Sequence, residues 1–388
     1  MKLKRIVAFG AAVGVALAGA GMASAANADP ISDGYSIVGS DTLQDAVSAL
    51  ANGTNITGPS VKVSGNGKSL ASWDAFTLGV AGGVGSIQTK AFGPVFDRPN
   101  GSGAGRNALI ASVGGASGTA FTFNNVNVKD QVDFARSSSV GGTAGNLLTY
   151  VPFGQDAIGY AFKVGTASGS ANATAATDAI KDLSKDQLSS IYSATSSSSA
   201  SAVLAGTGFT LKPLGLQSSS GTWTTFLGKI GLSTTTLGSA VDTRSNSIPE
   251  NDGRVLTPAS NEIQIIPLSV ANYIGQSNGA SRINTFSGVS VGAIAGVAAF
   301  TGTAPNLAPS TSYYNSADWG RTVYIVVPTA KITPDNAAFD SGVAALVNTS
   351  STTSLTYWGG SGSPTTTKAV KAKFGFSAPT GTVLTRNN

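Results

Sequence analysis

"YSIVGSDTLQDAVSAL", residues 35–50, decides how the chain is read. Its opening suits a short strand, and "GSDT" at 39–42 is a small polar turn. Leu43, Ala46, Val47 and Leu50 then recur at i, i+3, i+4 and i+7. That spacing is one apolar face of a helix. Asp41 and Gln44 stand at capping-box spacing ahead of it.

The same order returns twice. In "RPNGSGAGRNALIAS" (98–112) a Gly/Ser loop runs into the helical pattern Ala108, Leu109, Ile110. In "LQSSSGTWTTFL" (216–227) three serines and a glycine precede Trp223, Phe226, Leu227 and Ile230, again i, i+3, i+4, i+7. Between them "VDFARSSS" (132–139) reads as a strand ending in a polar turn. "YVPFGQDAIGYAFKVG" (150–165) reads as two extended segments broken by a Gly-Gln-Asp turn. "LSKDQLSSIYSA" is a helix with Ser184 and Gln187 at capping-box spacing. The serine-rich stretch around 192–201 reads as a loop, and "FTLKPLGLQ", "EIQIIPL" and "VYIVVP" as strands. Strands alternating with helices predict α/β architecture with mainly parallel sheets.

Composition narrows the chemistry. Lys2, Lys4 and Arg5, the apolar run "IVAFGAAVGVALAGAGMA" and the small residues of "ASAANADP" predict a signal peptide over 1–28, cleaved after Ala25 or Ala28. The mature chain is then expected to be secreted or periplasmic. Without the leader, 21 basic residues face 19 acidic ones, a net charge of about +2, and no basic run or helix appears. Nucleic acid is therefore not an expected partner. The 388 residues include no Cys and no His. This excludes disulfides, a lipid-attachment cysteine, imidazole metal ligands and a Ser-His-Asp triad. Glu250 and Glu262 are the only glutamates, and no paired-carboxylate motif stands out. No enzyme activity and no cofactor are expected.

Each polar loop lies at a strand end and a helix start. Free N–H groups and the positive end of the helix dipole gather there, and they favour anions. Ser, Thr and Asp are equally the ordinary N-cap residues, so one loop alone points nowhere. Three converging loops would form a cradle of neutral donors.

The order and wording of these segments resemble the phosphate-binding proteins that serve ABC importers, which have the type II periplasmic-binding fold. The matches are "VGSDTLQDAV", "NGSGAGRNAL", "VDFARSSS" against the family's "VDFGASD"-like stretch, and "LGLQSSSGTWTTF" against its "RADGSGT"-like loop. "LSKDQLSSIYS" and "ENDG" (250–253) follow the family's order as well. The resemblance covers roughly 35–330. It implies two α/β lobes joined by two crossover strands: lobe one 31–153 plus 270–388, lobe two 154–269. It also implies a monomer that captures inorganic phosphate or a related oxyanion in the cleft for an ABC permease. Carried over, the ligand residues are Ser40, Asp41 and Thr42 at the first helix, Ser102 with Gly103, Ser138, and Ser220, Gly221 and Thr222. Two family groups are replaced: the cleft Arg by Leu216, with Gln217 next, and the cleft Asp by Ser138. Hydrogen phosphate carries a proton that needs an acceptor, and sulfate does not, so the second change bears on the ligand. Asp41 could accept that proton, and Arg136 or Arg106 could restore positive charge; Arg136, at a strand end expected to face the cleft, is counted as the tenth ligand residue. The alternative is a secreted cell-envelope protein on the same fold that binds a different small ligand.

Overall fold

The computed structural model describes residues 34–77 and 85–387; the leader read at 1–28 lies outside the described residues. The strands and helices that matter for the site are β1 (Tyr35–Gly39), α1 (Gln44–Asn52), β2 (Leu70–Ser72), α2 (Ser102–Ser112), β3 (Phe134–Ser137) and β4 (Ala144–Val164). They continue with α3 (Ala173–Ile180), α4 (Lys185–Ser193), β5 (Thr210–Pro213), α5 (Gly221–Lys229), β6 (Glu262–Ser269), α6 (Val270–Ser277), β7 (Gly320–Pro328), α7 (Thr367–Lys373) and β8 (Leu384–Arg386). Along the main sheet the order is β5-β6-β4-β7-β3-β1-β2. The flanks β2-β1-β3 and β5-β6 are parallel. Antiparallel pairing links the flanks through the long strands β4 and β7, with β6 and β3 as their outer partners, and adds two short strands, β8 and Ser290–Val291, which pair with β4. The result is a mixed α/β fold of two parallel halves joined by long crossing strands.

β4 makes the crossing. From Leu148 to Ala157 it pairs with β7, and from Ile158 to Val164 it pairs with β6. The partner changes between Ala157 and Ile158, next to the buried Asp156. The turn expected at Gly-Gln-Asp is not there: Ala144–Val164 is one strand. A register shift between Val323 and Tyr324 leaves Phe153 as an extra residue, so a bulge replaces the break. Gly154 belongs to this bulge. A Cβ there would stand 3.2 Å from Phe376 and 3.3 Å from Trp358, so the glycine answers to close packing, not to a reversal of the chain. The return passage runs through β6 into α6, where Ala271 rejoins the core of the first half.

Alternation of side chains builds two cores on the first sheet. Ile37, Phe134 and Ile325 point to the face covered by α1 and α7. Their neighbours Val38, Ala135 and Val326 point to the face covered by α2. The predicted stripe of α1 holds: Leu43, Ala46, Val47 and Leu50 are all buried. In the other half, α4, α5, β5, β6 and the far end of β4 share one core, with Tyr192 edge-on to Trp223 and Phe226. Phe286, Ile294, Tyr313 and Trp319 join that same core, although they follow β6 in the chain. Within the serine-rich stretch Ser196 caps a short helix, Ser197–Ala200, where a loop was expected.

Candidate functional site

Ser40 follows β1, Ser138 follows β3, and Gln217–Ser220 follow β5, so three loops leave the carboxyl ends of parallel strands. In an open α/β sheet such ends line the crevice. The end of β1 and the first turn of α2 meet almost backbone to backbone: a Cβ on Gly105 would stand 2.5 Å from the Gly39 Cα. Ser40 Oγ accepts the Thr42 N–H at 3.3 Å and donates to Ser138 Oγ at 3.1 Å. Ser102 Oγ accepts the Ser138 N–H at 2.9 Å and lies 3.1 Å from Ser138 Oγ. Thus the start of α1, the start of α2 and the end of β3 share one hydroxyl cluster.

The second half supplies its own helix start. Ser220 caps α5 by accepting the Trp223 N–H at 3.1 Å. The N-terminus of α5 faces those of α1 and α2. Thr42 Oγ1 and Thr222 Oγ1 are 3.3 Å apart, and Gly103 N–H donates to Ser219 O at 3.1 Å. Gly221 lies at the tightest point. A Cβ there would come within 2.5 Å of both Ser102 Oγ and Ser138 Oγ, so only glycine lets the halves approach this closely.

Charged groups complete the junction. Arg321, early in β7, stands opposite Asp156 across the strands. Its Nε and Nη2 donate to Asp156 Oδ2 at 3.0 and 2.8 Å, while Asp156 Oδ1 accepts the Ala271 N–H at 3.0 Å. Arg321 also donates to Thr222 Oγ1 at 2.6 Å, Thr42 Oγ1 at 3.3 Å and Ser138 O at 3.3 Å. One guanidinium therefore ties together the crossing strand, the first loop and the cap of α5. Glu250 enters from the loop before β6. Ser220 Oγ donates to its Oε2 at 2.5 Å, and Thr42 Oγ1 donates to its Oε1. Asp41 accepts the Glu250 N–H on Oδ2 at 3.1 Å, and its Oδ1 is buried without a partner. Burial, reinforced by the charge of Glu250, holds the Asp41 carboxyl well above the usual aspartate range.

Nine of the ten residues singled out in the sequence gather here: Ser40, Asp41, Thr42, Ser102, Gly103, Ser138, Ser220, Gly221 and Thr222. Arg136 does not join them. It is fully buried, but its five N–H groups go to Ser40 O, Ile37 O, Gly39 O, Trp73 O and Ser72 Oγ, at 2.7–3.4 Å. It braces the first loop from behind, and burial pushes its pKa down to about 10. Arg106 is also elsewhere, beside Gly141 and Tyr150. Leu216 is buried in the core of the second half, while Gln217 accepts from Ser219 N at 3.0 Å and leaves Nε2 buried without a partner. Asp41 and Gln44 form no capping box; Gln44 instead accepts the Ala75 N–H at 2.7 Å. The box at Ser184 and Gln187 is present.

Arg321, Asp156 and Glu250 were missed as site residues. Asp156 offered a usable signal, because a lone carboxylate inside "YVPFGQDAIGYAF" needs a cationic partner if that run is buried.

No family model matches the chain, and no curated protein matches it. Solved structures with a similar course of chain include an ABC-type phosphate transport receptor from Vibrio cholerae, 14% identical, covering 89% of this chain and 100% of that one at a TM-score of 0.44. PstS from Borrelia burgdorferi is 15% identical and covers 89% and 98% at a TM-score of 0.38. A phosphate-binding protein from Stenotrophomonas maltophilia is 12% identical and covers 76% and 78% at a TM-score of 0.38.

Proposed function

We propose that the protein is an exported solute-binding protein that closes two lobes around a small oxyanion, phosphate or a chemical relative, for uptake through an ABC-type permease. The lobes of this reading are 31–153 plus 270–388 and 154–269. The packing of 286–319 with the second core argues for moving that stretch to lobe two.

One observation carries the reading. Three helix starts far apart in sequence direct serine and threonine hydroxyls at one buried junction between the halves, beside Arg321. Such donors fit the oxygens of a tetrahedral anion, and hydroxyls supply them without the cost of burying further charge. Hydrogen phosphate also needs an acceptor for its proton. Ser138 cannot act as the missing carboxylate, but Asp41 stands within the same cluster with one oxygen unpartnered. Capture requires only hinge closure and no bond making. Titration calorimetry with phosphate, arsenate and sulfate from pH 5 to 9 tests this. Saturable binding of at least one is expected, and no heat from any of them would sink the reading.

A second reading is favoured by the carboxylates. Asp41 and Glu250 are acceptors, and Arg321 is already paired with Asp156, which also suits a neutral ligand rich in hydroxyl groups. A secreted envelope protein on the same fold would then bind a sugar or sugar acid. Calorimetry against a panel of these separates the two.

A further inference from the structure

The junction holds a carboxylate in the place where an anion's oxygens would be received. Glu250 accepts the Thr42 hydroxyl on Oε1 and the Ser220 hydroxyl on Oε2. These two donors come from opposite halves, one beside the start of α1 and the other at the cap of α5. A serine or threonine hydroxyl has a single proton to give. While both protons point at Glu250, neither can point at a bound oxyanion. Glu250 is also a like charge for any such anion, at a junction where it is 2% exposed. Beside it, Asp41 Oδ1 is an unpartnered polar atom of a fully buried side chain.

We propose that Glu250 is the resident occupant of the oxyanion site, an internal carboxylate that a captured anion must displace from Thr42 and Ser220. The proposal rests on the oxyanion reading above and gives that site its regulation: the internal carboxylate sets the threshold concentration for capture. The backbone around Glu250 is anchored on both sides. Ile248 O accepts the Gln217 N–H at 3.0 Å, and Asn251 O accepts Gln276 Nε2 at 2.7 Å and Thr285 Oγ1 at 3.2 Å. Displacement is therefore a swing of the Glu250 side chain about a fixed backbone. The charged groups that face it are Asp41, which accepts the Glu250 N–H, and Arg321, which reaches it through Thr42.

Sulfate is the probe, because its charge does not change between pH 5 and 8. Calorimetry compares the wild-type protein with Glu250→Ala, which removes the competitor, and Glu250→Gln, which keeps the shape but not the charge. Both should bind sulfate more tightly at pH 7.5, by at least about tenfold for Glu250→Ala. Far-ultraviolet circular dichroism checks folding, and Glu250→Gln carries the comparison if the alanine variant does not fold. Equal or weaker binding by the variants, with wild-type binding intact, would make Glu250 part of the ligand shell and overturn the inference alone. Binding by the variants but not by the wild type supports it. No sulfate, phosphate or arsenate binding by any of the three proteins would overturn the oxyanion reading together with it.

Discussion

Replacing Arg321 by Met should destabilise the protein, and replacing Arg321 and Asp156 together should cost clearly less than the sum of the two single losses. The two side chains are 5% and 0% exposed, and they meet at 2.8 Å. Removing one member of a buried ion pair leaves the other without compensation, at a cost of ~3–5 kcal/mol. For a chain of 388 residues, an unfolding entropy near 2.1 cal/mol/K per residue gives ~0.8 kcal/mol per degree. The single variant Arg321→Met should therefore melt about 4–6 °C lower. Asp156→Asn keeps an oxygen for the Ala271 N–H, so the double variant Asp156→Asn, Arg321→Met buries no charge at this point. It should recover at least ~2 kcal/mol of the summed single losses, the coupling expected of groups in direct contact. Calorimetric melts of the four proteins at pH 7 give the cycle. A loss below about 1 °C for Arg321→Met, or losses that simply add, would refute the placement of this pair at the centre of the junction.

Gly221→Ala should weaken ligand binding and cost ~1–3 kcal/mol, because its Cβ would lie 2.5 Å from two serine hydroxyls; unchanged melting and binding would mean that the halves do not close here. Asp41→Asn tests the carboxyl whose pKa is raised. A raised folded-state value gives stability that is complete below the unfolded pKa of about 4 and is lost as pH rises through the folded one. The melting temperature of Asp41→Asn relative to wild type should therefore climb between pH 4 and pH 8, and a flat difference would contradict the assignment. Arg136→Lys removes the fork that holds four carbonyls and Ser72, so it should cost at least ~2 kcal/mol in urea unfolding. Its oxyanion affinity, scored on the folded fraction, should stay within about twofold; a large loss of affinity would return Arg136 to the ligand shell.

The sequence disclosed the helix starts because two local signals coincide in each: a small polar loop and a 3.6-residue apolar stripe. Ser220 with Trp223, Phe226 and Leu227 is an example, since the cap and the buried face lie within eight residues. Open α/β sheets gather such loops at the carboxyl ends of their strands, but the local patterns left open whether these three meet. Arg321 was hidden for the opposite reason. It is 165 residues from Asp156 and 279 from Thr42, and only the register of β7 on β4 brings them together. Arg136 misled because position alone placed it at a strand end facing the crevice. The direction of its side chain depends on Ser72 and Trp73, beyond the range of any local pattern. Glu250 sits in a loop with no periodicity, so nothing nearby signalled that its carboxylate would bridge two helix starts.

Charge accounting explains why hydroxyls dominate the junction. Arg321 is committed to Asp156, and Arg136 to the backbone behind the first loop. Glu250 accepts the Thr42 and Ser220 hydroxyls, and Asp41 accepts the Glu250 N–H. With every group ionised, these five side chains sum to one negative charge, and protonation of Asp41, which its raised pKa favours, brings the sum to zero. Among the described residues, a dianion arriving here meets no uncommitted positive side chain. Its charge must be met by neutral donors and by the N-termini of α1, α2 and α5, each end worth ~0.3–1 kcal/mol in exposed settings and up to about 2 when partly buried. Such a site gains little from bulk electrostatic attraction. On the oxyanion reading it selects by the number and direction of its protons, so moving one acceptor, Glu250, changes its capacity.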